Sequence, residues 1–254
     1  MKNVLIAIGL LIVAGPCAAA GIRVLSAAVM QTVFNEVAAD FERSSGHRIL
    51  FVYTTMGAIT DRMLGGESPD LVIGSTPSLV RLAKEGRVAA QSTVTFARVG
   101  VGAVVPSGTA VPAFATPEEV RKALLESRTL VYANPAGGGA AGIHVGKMLE
   151  RLGIAEQVKG KTRFGAGGDV TEVALAQGAG TLGLTQISEI VGKPGAEFVG
   201  PLPDALQNYT GITAGIPPAS TQSAAAAELI AFLKSPASRA AMQRRGMQPL
   251  TQGD

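Results

Sequence analysis

The chain has 254 residues, a formal net charge of +3, one cysteine, two histidines and no tryptophan. Its lysines and arginines are scattered rather than clustered, which gives nucleic-acid binding no support. One cysteine and two histidines leave no material for a disulfide framework, a Cys–His catalytic pair or a metal cluster, so neither metal nor cofactor is expected.

The first twenty residues, "MKNVLIAIGLLIVAGPCAAA", combine a positive start at Lys2, an apolar run from Val4 to Val13 and the small residues Ala18, Ala19 and Ala20. That pattern predicts a secretory signal over 1–20, cleaved near Ala20, and hence a periplasmic location; the run is too short to span a bilayer. Lipidation at Cys17 is the rival reading, but Pro16 stands where a small residue is wanted. Later runs are too short or too polar to cross a membrane.

Beyond the signal, strand-like and helix-like patterns alternate. "IRVLS" reads as a strand, and Met30, Val33, Phe34, Val37, Ala38 and Phe41 follow at helical spacing until Gly46. "RILFVY", a helix over about 59–64, "DLVIG" and a short helix around Leu79 to Ala83 continue a β-α-β-α-β rhythm of parallel strands with helical crossovers. Ala97–Val105 reads as one long strand ending at Pro106. "TPEE" at Thr116–Glu119 is a capping box with proline at the first helical position. "TLVYA" is a strand, and Val145, Met148, Leu149 and Leu152 form a helix stripe closed by Gly153. "GGDVTEVALAQG" reads as a helix capped by Asp169, "TLGLT" as a strand, and the end as two helices broken at Ser235-Pro236. The pattern implies two α/β halves around a cleft: residues 21–100 plus 201–254 form one lobe and 101–200 the other, with the last helices packing back on the first half.

"NPAGGGAAGIHVGKM" (134–148) imitates a phosphate loop, but Ala141 and Met148 occupy the positions of the first glycine and of the magnesium-binding hydroxyl. Lys147 also falls inside the helix rather than at its start. What remains is a strand, a small-residue loop and a helix N-terminus, where free N–H groups favour an anion. "SAAVM", "YTTMG" and "GAGGDV" repeat the design in both halves, describing a donor-lined cleft.

The order and spacing of "IRVLSAAVMQTVFNEVAADFERSSGHRI", "YTTMG", "SPDLVIGST", "GIHVGKMLERLGI" and "AFLKSPASRAAMQRRGM" resemble the periplasmic molybdate-binding type of solute-binding protein. The resemblance implies a two-lobed, type II periplasmic-binding-protein-like α/β fold, a monomer that binds a small anion without metal, and an ABC permease as partner. It places ligand contacts at the backbone of Ala28 and Val29, at Thr54, Thr55 and Gly57, at the backbone of Gly142 and Val170, and at Gln186. A serine donor of the family is replaced by Ala27 or Ala28 and its tyrosine by Gln186. These losses disfavour molybdate and favour an organic carboxylate, since an oxyanion left without donors is costly. Proteins resembling this family include a periplasmic aconitate isomerase, the alternative reading. An allylic proton shift needs an acid–base group, for which His144 and Tyr53 are the candidates, with Arg62 nearby. Against these roles, His144 reads more often as an exposed helix residue than as a catalyst, Tyr53 as strand packing and Arg62 as a solvated charge.

Overall fold

The computed structural model describes residues 21–251; the expected signal segment lies outside them. In chain order the elements are β1 (Gly21–Ala27), α1 (Gln31–Ser45), β2 (Arg48–Thr54), α2 (Met56–Leu64), β3 (Leu71–Ser75), α3 (Thr76–Lys84), β4 (Val94–Val99), β5 (Val101–Pro106), α4 (Pro117–Glu126) and β6 (Thr129–Ala133). There follow α5 (Ala140–Arg151), α6 (Ala155–Lys159), β7 (Thr162–Gly165), α7 (Val170–Gln177), β8 (Thr181–Gln186), β9 (Ala196–Pro201), β10 (Thr210–Gly215), α8 (Ser223–Leu233), α9 (Pro236–Arg244) and β11 (Met247–Pro249). The strands form two mixed sheets, in the orders β11-β4-β10-β3-β1-β2 and β7-β6-β8-β5-β9. Within them β2, β1 and β3 run parallel, as do β7, β6 and β8.

Each sheet has its own core. Phe34, Phe41, Ile59, Leu79, Leu229 and Met242 are buried together in the first lobe, so the C-terminal helices do pack back on the first half. Val120, Leu124, Leu130, Met148 and Leu149 are buried together in the second. Local signals act where the sequence places them. Gly46 takes φ 75° and closes α1, a left-handed turn that glycine adopts without a Cβ clash. Thr116 accepts from the Glu119 N–H while the Glu119 carboxylate accepts from the Thr116 N–H.

Two expectations are corrected. The single strand expected over 97–105 is two strands in different sheets, because the chain changes lobe at Gly100. Asp169 stands at the N-terminus of α7 without capping it by its side chain. Gly167 and Gly168, at φ 109° and 87°, curl the loop so that the Asp169 carboxylate accepts from the Gly167 N–H instead.

The lobe change is held by Gln207, in the returning segment between β9 and β10. Its Oε1 accepts from the Val101 N–H at 2.8 Å, and its Nε2 donates to the carbonyls of Val101 and Leu202. A Cβ at position 100 would stand 3.0 Å from that amide, so glycine lets the two connecting segments come together. Gln207→Ala is expected to lower stability by about 1–3 kcal/mol, the cost of buried backbone groups left without partners, measured by urea unfolding.

Candidate functional site

The C-terminal ends of β1, β2, β6 and β8 lead into the same gap between the lobes. A 3-10 turn (Ala28–Met30) precedes α1, Thr55 caps α2 by accepting from the Ala58 N–H, Gly139 precedes α5, and Gly167-Gly168 lead into α7. All four helix starts border one small cavity of about 50 Å³. Unpaired N–H groups and the helix dipoles give such a point a positive potential without a cationic side chain. Among the described residues lining the cavity there is no lysine, arginine or histidine.

Glycines enclose this space. A Cβ on Gly57 would lie 2.5 Å from the Gly137 carbonyl oxygen, and one on Gly168 would lie 2.5 Å from the Ala28 Cβ. Both contacts join the first lobe to the second. Gly142 has a different role: its Cβ would meet the Ala133 carbonyl at 2.3 Å, so it lets α5 lie directly on β6.

The wall mixes hydroxyls with apolar groups. Thr54, Thr55 and Thr210 stand beside Ala28, Val29, Met56 and Ile212. Thr210 is 7% exposed, and its Oγ1 has no hydrogen-bond partner among the described residues. A buried hydroxyl in that state costs about 1–3 kcal/mol, and a ligand oxygen in the adjoining cavity would supply the missing partner.

Glu189 also lines the cavity and is its one ionisable side chain among the described residues. It ends a 3-10 turn (Ile187–Glu189) that follows β8 and is fixed from several directions. Its carboxylate accepts from the Thr185 hydroxyl, and its carbonyl accepts from Thr171 Oγ1. Its neighbour Ser188 donates to the Val29 carbonyl, while Thr32 donates to the Ser188 carbonyl, tying this turn to the opposite lobe. Burial pushes the Glu189 carboxyl up to about 7, opposed by the Thr185 hydrogen bond and the charge of Lys193 and assisted by Glu172 and Asp169.

Of the residues expected from sequence, Ala28, Val29, Thr54, Thr55, Gly142 and Gln186 line the cavity together. Gly57 and Val170 begin the helices beside it. His144 and Tyr53 do not line it. His144 lies on α5 with its Nε2 2.7 Å from the Leu206 carbonyl oxygen, and burial holds it below the usual histidine range, an effect the Leu206 bond opposes and Arg151 assists. Tyr53 stacks on Phe51, and burial raises its phenol above the ordinary range. Arg62 pairs with Glu67 at 2.6 Å. Sequence reasoning missed Thr185, Glu189 and Thr210. An acidic residue one turn past a strand end carries no motif, and Thr210 belongs to a strand that the periodicity did not reveal.

Two outcomes follow. Ala at Gly168 must either strain a positive-φ position or part the lobes, so Gly168→Ala is expected to give a larger radius of gyration by small-angle scattering. For Glu189, the folded chain keeps a proton that the unfolded chain loses near the ordinary value of 4.5. Stability therefore falls as pH rises from about 4.5 through 7, and Glu189→Gln, free of that loss, is expected to exceed the wild type above pH 7 by up to about 3 kcal/mol. Denaturant titrations at pH 5 and pH 8 measure the difference.

Comparison with known proteins agrees with this architecture. The chain is 26% identical over 235 residues to an aconitate isomerase from a Pseudomonas species, covering 90% of this chain and 88% of that protein. It is 27% identical over 195 residues to the molybdate-binding protein ModA of Azotobacter vinelandii, covering 75% and 74%. The solved periplasmic molybdate-binding protein of Azotobacter vinelandii superposes with a TM-score of 0.75 at 16% identity, over 91% of this chain and 99% of that one, which identifies the two-lobed type II fold. The model of the bacterial extracellular solute-binding protein family matches residues 22–248, and the chain belongs to that family.

Proposed function

We propose that the cleft captures one small organic carboxylate in the periplasm, after removal of the segment ending near Ala20, and presents it to an ABC permease. One observation carries the reading: a small cavity at four converging helix starts, with hydroxyl donors, an apolar wall and no cationic side chain among the described residues lining it. The helix starts and Thr54, Thr55 and Thr210 suit carboxylate oxygens. Ala28, Val29, Met56 and Ile212 suit a carbon skeleton, for which a tetrahedral oxyanion has no counterpart.

A second reading is supported by Glu189 and by the relative named an aconitate isomerase: the same cleft converts an unsaturated polycarboxylate instead of delivering it. Both readings begin with carboxylate capture, which thermal unfolding with trans-aconitate, citrate, sulfate and molybdate tests. At about a hundredfold excess over its dissociation constant a ligand stabilises the fold by about 2.7 kcal/mol. A tricarboxylate is expected to raise the melting temperature while molybdate and sulfate at equal concentration do not. Stabilisation by molybdate alone would contradict the proposal.

A further inference from the structure

We propose that Glu189 is the acid–base residue of a proton shift carried out on an unsaturated carboxylate held in the cleft. The inference rests on the second of these readings, in which the cleft converts the carboxylate it captures.

Four observations support it. Glu189 is the sole ionisable side chain among the described residues lining the cavity, so it is the one side chain there that can both take and return a proton near neutrality. Its carboxylate is held by the Thr185 hydroxyl, and its backbone is tied through Thr171 and through the flanking Ser188–Val29 contact. A positioned base of this kind needs no induced assembly. The surrounding donors are suited to the charge that develops. When a proton leaves a carbon next to a carbon–carbon double bond conjugated with a carboxylate, negative charge spreads onto the carboxylate oxygens. The four helix starts and the unpartnered Thr210 hydroxyl can stabilise it there. Finally, a carboxyl at this position is costly to the folded chain, because burial opposes its ionisation. A cavity built only to hold an anion would be better served by an amide.

The step balances without a further reactant. A C–H bond of the methylene carbon breaks and Glu189 takes the proton. The electron pair of that bond forms a new double bond to the central carbon. The pair of the former double bond passes to the far carbon, which receives a proton from the Glu189 carboxylic acid. The product is an isomer of the substrate, and Glu189 ends as it began.

The charged groups around Glu189 are Lys193, which favours its ionised form, and Glu172 and Asp169, which oppose it. Lys193 is itself paired with Glu172. Ionised Glu189 is the base, so kcat/KM should rise with pH and level off above about 7.

The test follows trans-aconitate by proton NMR in H2O and D2O with the wild type, Glu189→Gln and Glu189→Asp, while calorimetry measures binding of the same compound. The wild type is expected to form the cis isomer and to exchange the methylene protons with solvent. Glu189→Gln is expected to bind trans-aconitate and to convert it ~10²–10⁴-fold more slowly, with no rise in residual rate near pH 7. Glu189→Asp should regain part of the rate if the carboxyl, and not merely the shape of the site, is responsible. A Glu189→Gln rate within tenfold of the wild type overturns the proposal. So does a wild type that binds trans-aconitate without converting or exchanging it, an outcome that leaves carboxylate capture standing. Failure to bind any tricarboxylate overturns both.

Discussion

The closed cleft depends on how near two backbones can come. Where Gly57 faces Gly137, and Gly168 faces Ala28, a single added methyl group would meet an atom at 2.5 Å. Interiors pack too densely to absorb such an overlap without movement. Closeness at these points brings helix starts from both lobes around one cavity. Burial beside the same cavity also raises the Glu189 pKa. Binding energy, electrostatics and acid–base character in this site have one geometric origin.

That origin explains the absence of cationic side chains from the described lining. A lysine or arginine would bind an anion strongly, but it would pair with Glu189, which lines the same cavity. Helix starts supply a fixed partial charge and oriented N–H donors without occupying volume. Hydroxyls from β2 and β10 add directionality, and alanine, valine and isoleucine leave room for a carbon skeleton. On the proposed reading, the arrangement suits a ligand whose charge lies at its ends and whose middle is apolar.

Much of the fold was legible because its signals are local. Helical spacing gave α1 its buried face, Gly46 its end, and Thr116 with Glu119 the start of α4. The failures came where tertiary structure overrides local pattern. The stretch 97–105, apolar apart from Arg98, contains no mark of the sheet change at Gly100, because the amide that makes glycine necessary arrives from Gln207, more than a hundred residues later. β7 and β11 are short, β9 is partly exposed and β10 is buried at nearly every position, so none carries a strong alternation. In the site, the small-residue loops after strands pointed to a cleft, and the family resemblance pointed to six of the residues that line its cavity. His144 looked suitable from sequence because it follows the glycine run, yet one position along a helix turns a side chain by about 100°, and here that direction leads to Leu206. Glu189 was invisible for the converse reason: only the second lobe's turn, docked on Val29, brings it to the cavity.

The central claim is that this cleft holds an organic carboxylate between its helix starts, beside the Glu189 carboxyl. The most direct measurement is a crystal structure of the Glu189→Gln variant grown with trans-aconitate. The account predicts a tricarboxylate enclosed between the lobes, with carboxylate oxygens on the N–H groups at the starts of α2, α5 and α7 and on the Thr54 and Thr210 hydroxyls, and a methylene carbon facing the side chain at position 189. A closed cleft holding an inorganic oxyanion in preference to the tricarboxylate, or a tricarboxylate bound elsewhere on the surface, would contradict it.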